Sequence, residues 1–155
     1  MSEHKATIRW QRTTEDFLKG RFSREHTWSF DGGLTVTASA APAVVPAPYS
    51  NAAGIDPEEA FVASLSSCHM LTFVWLAYRG GFQVDRYEDE AVGVTTKNEK
   101  GALWVSQVTL RPRVAYSGPK LPTPAEQERM HHLAHEQCFI ANSVKTDIKV
   151  EPVKG

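Results

Sequence analysis

The chain has 155 residues, with 17 Lys and Arg against 18 Asp and Glu and a formal charge of -1, so it lacks the basic excess that a phosphate backbone or an anionic membrane surface attracts. That length predicts one domain, residues 1–155, with enough chain to bury a sizeable core. The opening M-S-E-H-K-A-T-I-R-W has no apolar run of signal-peptide type, and the expectation is a soluble, cytoplasmic protein with neither nucleic acid nor membrane as partner.

From Lys5 to Arg12 the residues Ala6, Ile8 and Trp10 alternate with polar ones, which predicts a strand with one face inward. A second strand is predicted from Arg21 to Phe30. Its alternation puts Phe22, Arg24, His26, Trp28 and Phe30 on one face and Arg21 on the other. Asp31-Gly32-Gly33 is a hairpin turn that returns through Leu34, Val36 and Ala38. Pro42, Pro46 and Pro48 exclude a ladder or helix between Ala41 and Ile55 and predict an extended loop.

Asp56 to Arg79 predicts one long helix around which the chain is organised. Asp56 suits an N-cap, Pro57 the first helical position, and Glu59 the reciprocal place in a capping box. Gly80 and Gly81 supply the stop. Its second half, from Leu71 to Tyr78, is apolar almost all round and has to be enclosed. At roughly 35 Å it exceeds what a compact domain of this size covers, so a second subunit is expected over part of it. Its apolar part reads as too short and too well capped to span a bilayer.

Beyond it, Val84–Thr96 and Leu103–Tyr116 predict two long neighbouring strands joined by a turn at Asn98-Glu99-Lys100-Gly101. Thr123-Pro124-Ala125-Glu126 repeats the cap, proline and capping-box pattern and opens a second helix reaching about Cys138. A last strand is predicted over Val144–Glu151. Strands before, between and after two separated helices, mostly in hairpins, give an α+β fold rather than a doubly wound sheet.

The chemistry rests on the two cysteines. In a reducing compartment they read as reactive thiols or core residues, not a permanent staple. A thiol with a pKa near 8.5 is only about 3% thiolate at pH 7, and burial among apolar groups lowers that fraction. A reactive Cys68 therefore needs a local cation. The helix dipole fades before reaching it, and His69 points about 100° away round the helix. Arg24, costly on an inward face unless it meets an anion, is the first candidate and Arg21 the second. Glu59 is taken by the capping box, whereas Glu58 is free to orient such an arginine. Two alternatives compete: a zinc site built from His131, His135, Cys138 and Cys68, and a non-catalytic carrier whose aromatic-lined pocket takes small apolar ligands.

D-P-E-E-A-F-V-A-S-L-S-S-C-H-M-L around Cys68 and A-H-E-Q-C-F-I-A-N-S-V around Cys138 together resemble the OsmC/Ohr family of thiol-dependent peroxidases. The resemblance runs from the first hairpin to the last strand. It implies an α+β, intertwined homodimer, with two long central helices packed between sheets and active sites at the interface. It implies that Cys68 is the peroxidatic cysteine, Cys138 the resolving cysteine, and Glu58 the acid that holds an activating arginine, here Arg24. It further implies an organic hydroperoxide substrate, a dithiol reductant, a role in oxidative stress defence, and no metal or organic cofactor. The C-F-I-A-N-S-V motif and S-R-E-H-T-W in the second strand depart from the best-known branches.

Overall fold

The chain begins as an antiparallel sheet. In the computed structural model, which describes residues 1–155, β1 (Ala6–Arg9), β2 (His26–Phe30) and β3 (Thr35–Ala38) lie in that order. Ile8 and Val36 both register against Trp28, so one face of the sheet gathers the apolar side chains. The β2–β3 turn closes where expected, with Gly33 at φ 91° donating to Phe30 O at 3.0 Å. After Ala38 the loop carries no strand or helix before Asp56, as its prolines require, and Ile55 bridges back to Ala38.

The second strand starts later than its alternation suggested, at His26 rather than Arg21. The backbone groups ahead of it are engaged outside the ladder: Arg24 N–H donates to Tyr49 O at 2.9 Å, and Trp10 Nε1–H to Ser23 O at 2.9 Å. An amide satisfied by a loop has no need of a neighbouring strand. Phe22 turns instead into a small aromatic cluster, 5.9 Å from Trp10 and 4.5 Å from Phe17 between ring centres. Arg24 therefore precedes the strand, and the strand-face argument that singled it out does not hold.

The long helix α1 spans Pro57–Gly80. Its capping box is formed in both directions, Glu59 N–H to Asp56 Oδ1 at 2.8 Å and Asp56 N–H to Glu59 Oε2 at 3.2 Å. Gly81, at φ 78°, takes the left-handed turn that ends it. By length and composition α1 is sufficient to cross a membrane, contrary to the expectation that its apolar part is too short. Leu65, His69, Phe73 and Ala77, however, recur one turn apart and are buried in the protein's own core. Leu71, Trp75 and Tyr78, on other faces, are 63%, 53% and 73% exposed in the single chain.

The two long strands after α1 are each interrupted. They appear as β4 (Gln83–Asp89), β5 (Val92–Lys97), β6 (Leu103–Leu110) and β7 (Pro112–Ser117), with β5 on β6 and β4 on β7, both antiparallel. The pairing is that of one long hairpin about the Asn98–Gly101 turn, broken at Glu90–Ala91 on one arm and Arg111 on the other. Asp89 holds the break: its Oδ1 accepts Arg111 N–H at 2.6 Å, and its Oδ2 accepts Ser66 Oγ–H from α1 at 2.5 Å. Helix α2 (Pro124–Gln137) opens with the predicted capping box on Thr123 and Glu126. Strand β8 (Asp147–Val150) is shorter than predicted and adds parallel to β6, so the sheet is mixed rather than a run of hairpins. The result is an α+β fold.

The chain forms two compact units, Met1–Ala60 and Phe61–Gly155. Two cores lie within the second. Leu65, Val108 and Leu110 form one, surrounded by Ile140, Ile148 and Val150. Phe73, Ala77, Phe82, Val114, Met130 and Ala134 form the other, with Tyr87 and Tyr116 packed on it. Gly93 permits the close approach of α1 to β5, because a Cβ there would sit 2.5 Å from Val62 Cγ2.

Candidate functional site: a thiol pair beside buried imidazoles

Cys68 lies on α1, half-buried, and Cys138 is the C-cap residue of α2, 1% exposed. Both are free thiols. Although far apart in sequence they are neighbours in the fold, close enough for Cys68 to act on the Cys138 thiol. Burial, reinforced by the neighbouring Cys68, pushes the Cys138 thiol up to about 11, while Ala141 N–H, 3.4 Å from its sulfur, pulls the other way. Cys138 thus keeps its proton at neutral pH.

Local chemistry explains how each cysteine is held. Thr72 Oγ–H donates to Cys68 O at 3.0 Å, a bond within the helix that leaves the sulfur free. At the end of α2, Cys138 turns into extended backbone at ψ 116°, and Asn142 Nδ2–H donates to its carbonyl at 3.1 Å. The short 3-10 turn Ala141–Ser143 follows at once. The sulfur is fixed between a helix end and this turn.

Arg24 and Glu58 belong to the Met1–Ala60 unit and are not paired with each other. The Arg24 guanidinium lies 3.6 Å over the Phe22 ring and Nη1–H donates to Phe22 O at 2.5 Å. Glu58 is half-buried in the first turn of α1 and forms no ion pair, and Arg21 is exposed. No carboxylate competes for the Arg24 cation within that unit.

The sequence reading overlooked a second feature next to the thiols. His69, the residue after Cys68, is 1% exposed and His131 on α2 is 3% exposed. Their rings are hydrogen-bonded, Nε2 of His69 to Nδ1 of His131 at 3.1 Å, and the His131 ring stacks 4.2 Å from Phe73. Burial, with the neighbouring imidazoles of His131 and His135, lowers His69 to about 3, and burial lowers His131 to about 4. Both rings are neutral at pH 7. The signal available in the sequence was the four-residue recurrence that puts His69 on the same stripe as Leu65 and Phe73.

The zinc alternative is not assembled. His131 turns to His69 rather than to the sulfurs, and nowhere do three His, Cys, Asp or Glu side chains converge on a point fit for a metal ion. A groove of about 490 Å³ runs along α2, lined by Glu128, His131, His132 and His135 and closed by Ile148 and Val150.

The OsmC-like protein family model matches residues 50–153, which include both cysteine motifs. The chain is similar over its whole length to an OsmC-like protein of unknown function from Vibrio cholerae, at 53% identity, covering 99% of this chain and 100% of that one with a TM-score of 0.96. It is also similar in fold to the organic hydroperoxide resistance protein OhrB of Bacillus subtilis, at 20% identity, 99% and 98% coverage and a TM-score of 0.66. The organic hydroperoxide resistance protein of Elizabethkingia anophelis matches at 18% identity, 100% and 96% coverage and a TM-score of 0.70. Among the curated proteins none matches the sequence.

Proposed function

The chain belongs to the OsmC-like family, and from that premise we propose that it is a thiol-dependent peroxidase that reduces organic hydroperoxides. The observation that carries this reading is the juxtaposition of two free thiols of unequal exposure, Cys68 half-buried and Cys138 enclosed. The names of the Bacillus and Elizabethkingia relatives in fold point to the same substrate class.

In the proposed reaction the Cys68 thiolate attacks the terminal oxygen of the hydroperoxide. The O–O bond breaks, the departing alkoxide takes a proton to become an alcohol, and a sulfenic acid remains on Cys68. The Cys138 thiol then attacks the sulfenic sulfur, the S–S bond forms, and water leaves. An external dithiol returns both cysteines to thiols by exchange and is itself oxidised to a disulfide. Arg24 is the proposed cation for the thiolate, and Glu58 the proposed acid that orients it. A second copy of the chain is proposed to cover the exposed Leu71, Trp75 and Tyr78 of α1, and the site of action is proposed to be the cytoplasm.

Steady-state consumption of an alkyl hydroperoxide with excess dithiol tests the reading. Cys68→Ser abolishes turnover, and Cys138→Ser reacts once and then over-oxidises. Equal rates in Cys68→Ser and the unaltered protein would end the proposal. For Arg24, a pH titration of Cys68 alkylation decides: an apparent pKa unmoved by Arg24→Ala excludes that residue.

A further inference from the structure

The imidazole pair sits beside the thiols yet takes no part in the reaction just described. His69 follows Cys68 directly on α1, and His131 precedes Cys138 on α2 by about two helical turns, which keeps it on the same face. The imidazole bond therefore ties the two helices directly, and the two sulfurs are neighbours where α2 ends. The stacking of Phe73 on His131 adds contact, but dispersion is tolerant of sliding. A hydrogen bond is not, since its length and angle are confined to narrow ranges.

The remaining ring nitrogens, His69 Nδ1 and His131 Nε2, are buried without any partner. Each ring thus finds its one hydrogen bond in the other, and a shift of α2 along α1 would leave both wholly unsatisfied among hydrocarbon. A pair of leucines or phenylalanines would fill the same space without that penalty. What the imidazoles supply in exchange is a single permitted helix register. A disulfide demands the same thing, because its Cα separation and dihedral tolerate little displacement.

We infer that the His69–His131 hydrogen bond is a latch that holds Cys138 in bonding position against Cys68. Both histidines are positioning residues, acting through the sulfurs and touching no substrate. The consequence for turnover rests on the peroxidase reading: with the latch intact the sulfenic acid on Cys68 closes to the disulfide, and with it broken a second peroxide oxidises that sulfur first. The latch itself concerns only how readily the two thiols join.

Equilibration of the folded protein in glutathione buffers measures that tendency directly. Oxidised glutathione takes two hydrogens from the dithiol, leaving the protein disulfide and two reduced glutathiones. Phenylalanine keeps the ring volume and the stack on Phe73 but has no ring nitrogen. The equilibrium constant for the Cys68–Cys138 disulfide should fall by about tenfold or more in His69→Phe and in His131→Phe. The double variant should fall no further than either single one, because one bond is lost in all three. His69→Gln, whose amide can still meet the His131 ring, should recover most of the loss. Near-UV circular dichroism confirms native packing, and a merely structural role would change melting while leaving the glutathione equilibrium in place. An unchanged constant in folded variants, or additive losses in the double variant, overturns the latch. Should the phenylalanine variants not fold, imidazole ¹⁵N resonances of the unaltered protein decide: fixed tautomers that do not titrate near neutrality support the pair, and two rings titrating independently near pH 6.5 refute it. An unaltered protein that ignores peroxide, together with variants that show these equilibrium losses, defeats the peroxidase reading and leaves the latch standing.

Discussion

The two cores along α1 are built from different materials. The cluster of Leu65, Val108 and Leu110 is hydrocarbon throughout, as are the side chains of Ile140, Ile148 and Val150 around it. The cluster of Phe73, Ala77 and Met130 carries the hydroxyls of Tyr87 and Tyr116 on its border and the imidazoles of His69 and His131 at its edge. Hydrocarbon gains from burial in any arrangement that excludes water, so the first core supplies stability without specifying position. Buried polar groups tolerate few arrangements, so the second core gives up stability and fixes where the helices lie. The thiols adjoin both: Ile140 and Ala141, just after Cys138, pack on the first core, and His69, just after Cys68, pairs with His131 at the edge of the second.

This contrast is open to direct attack, beginning with the apolar core. Leu110 is 1% exposed, and Leu110→Ala should destabilise the chain by about 2–5 kcal/mol through lost burial and the cavity left behind. Urea unfolding measures it; a loss below about 1 kcal/mol would mean that this core collapses around the gap and supplies less stability than its burial implies.

The second core should reveal itself in acid. His69 and His131 are lowered from 6.5 to about 3 and about 4 by burial. Between about pH 6.5 and pH 4 the unfolded chain binds protons that the folded one refuses, so stability rises with pH across that window and is lost as the pH falls. Each imidazole contributes a slope of up to about 1.4 kcal/mol per pH unit. His131→Phe should remove about half of the combined slope. An identical pH profile in that variant would show that the acid response arises elsewhere.

Tyr87 gives the smallest effect. Its hydroxyl is buried with no partner, and burial pushes its ionisation well above the ordinary tyrosine range. Tyr87→Phe therefore gives up no hydrogen bond, and the unfolding free energy, measured in urea, should change by no more than about 0.5 kcal/mol. A loss of more than about 1 kcal/mol would reveal a partner for that hydroxyl.

What the sequence disclosed, and what it hid, follows the range of the interactions. The capping boxes at Asp56–Glu59 and Thr123–Glu126 and the turn at Asn98–Gly101 are local, and each was legible within a few residues. Cys138 lies where α2 was expected to end, for the same reason. The start of the second strand was placed too early because alternation extends a strand on paper, whereas the Arg24 amide is claimed by Tyr49 from the loop beyond the hairpin. The break in the long hairpin depends on Asp89 bridging Ser66 and Arg111 from two separate elements. No local pattern signals such a bridge. The imidazole latch is hidden in the same way, since the angular argument that turned His69 away from Cys68 gave its direction but not its partner on another helix.

The central claim is that the Cys68–Cys138 pair is a redox couple driven by peroxide. Reduced protein treated with one equivalent of an alkyl hydroperoxide, quenched with an alkylating agent and mapped by peptide mass tests it most directly. The account predicts consumption of the peroxide and a linked peptide joining Cys68 to Cys138, two hydrogens lighter than the separate thiols. Recovery of both cysteines fully alkylated, with the peroxide unconsumed, would contradict it.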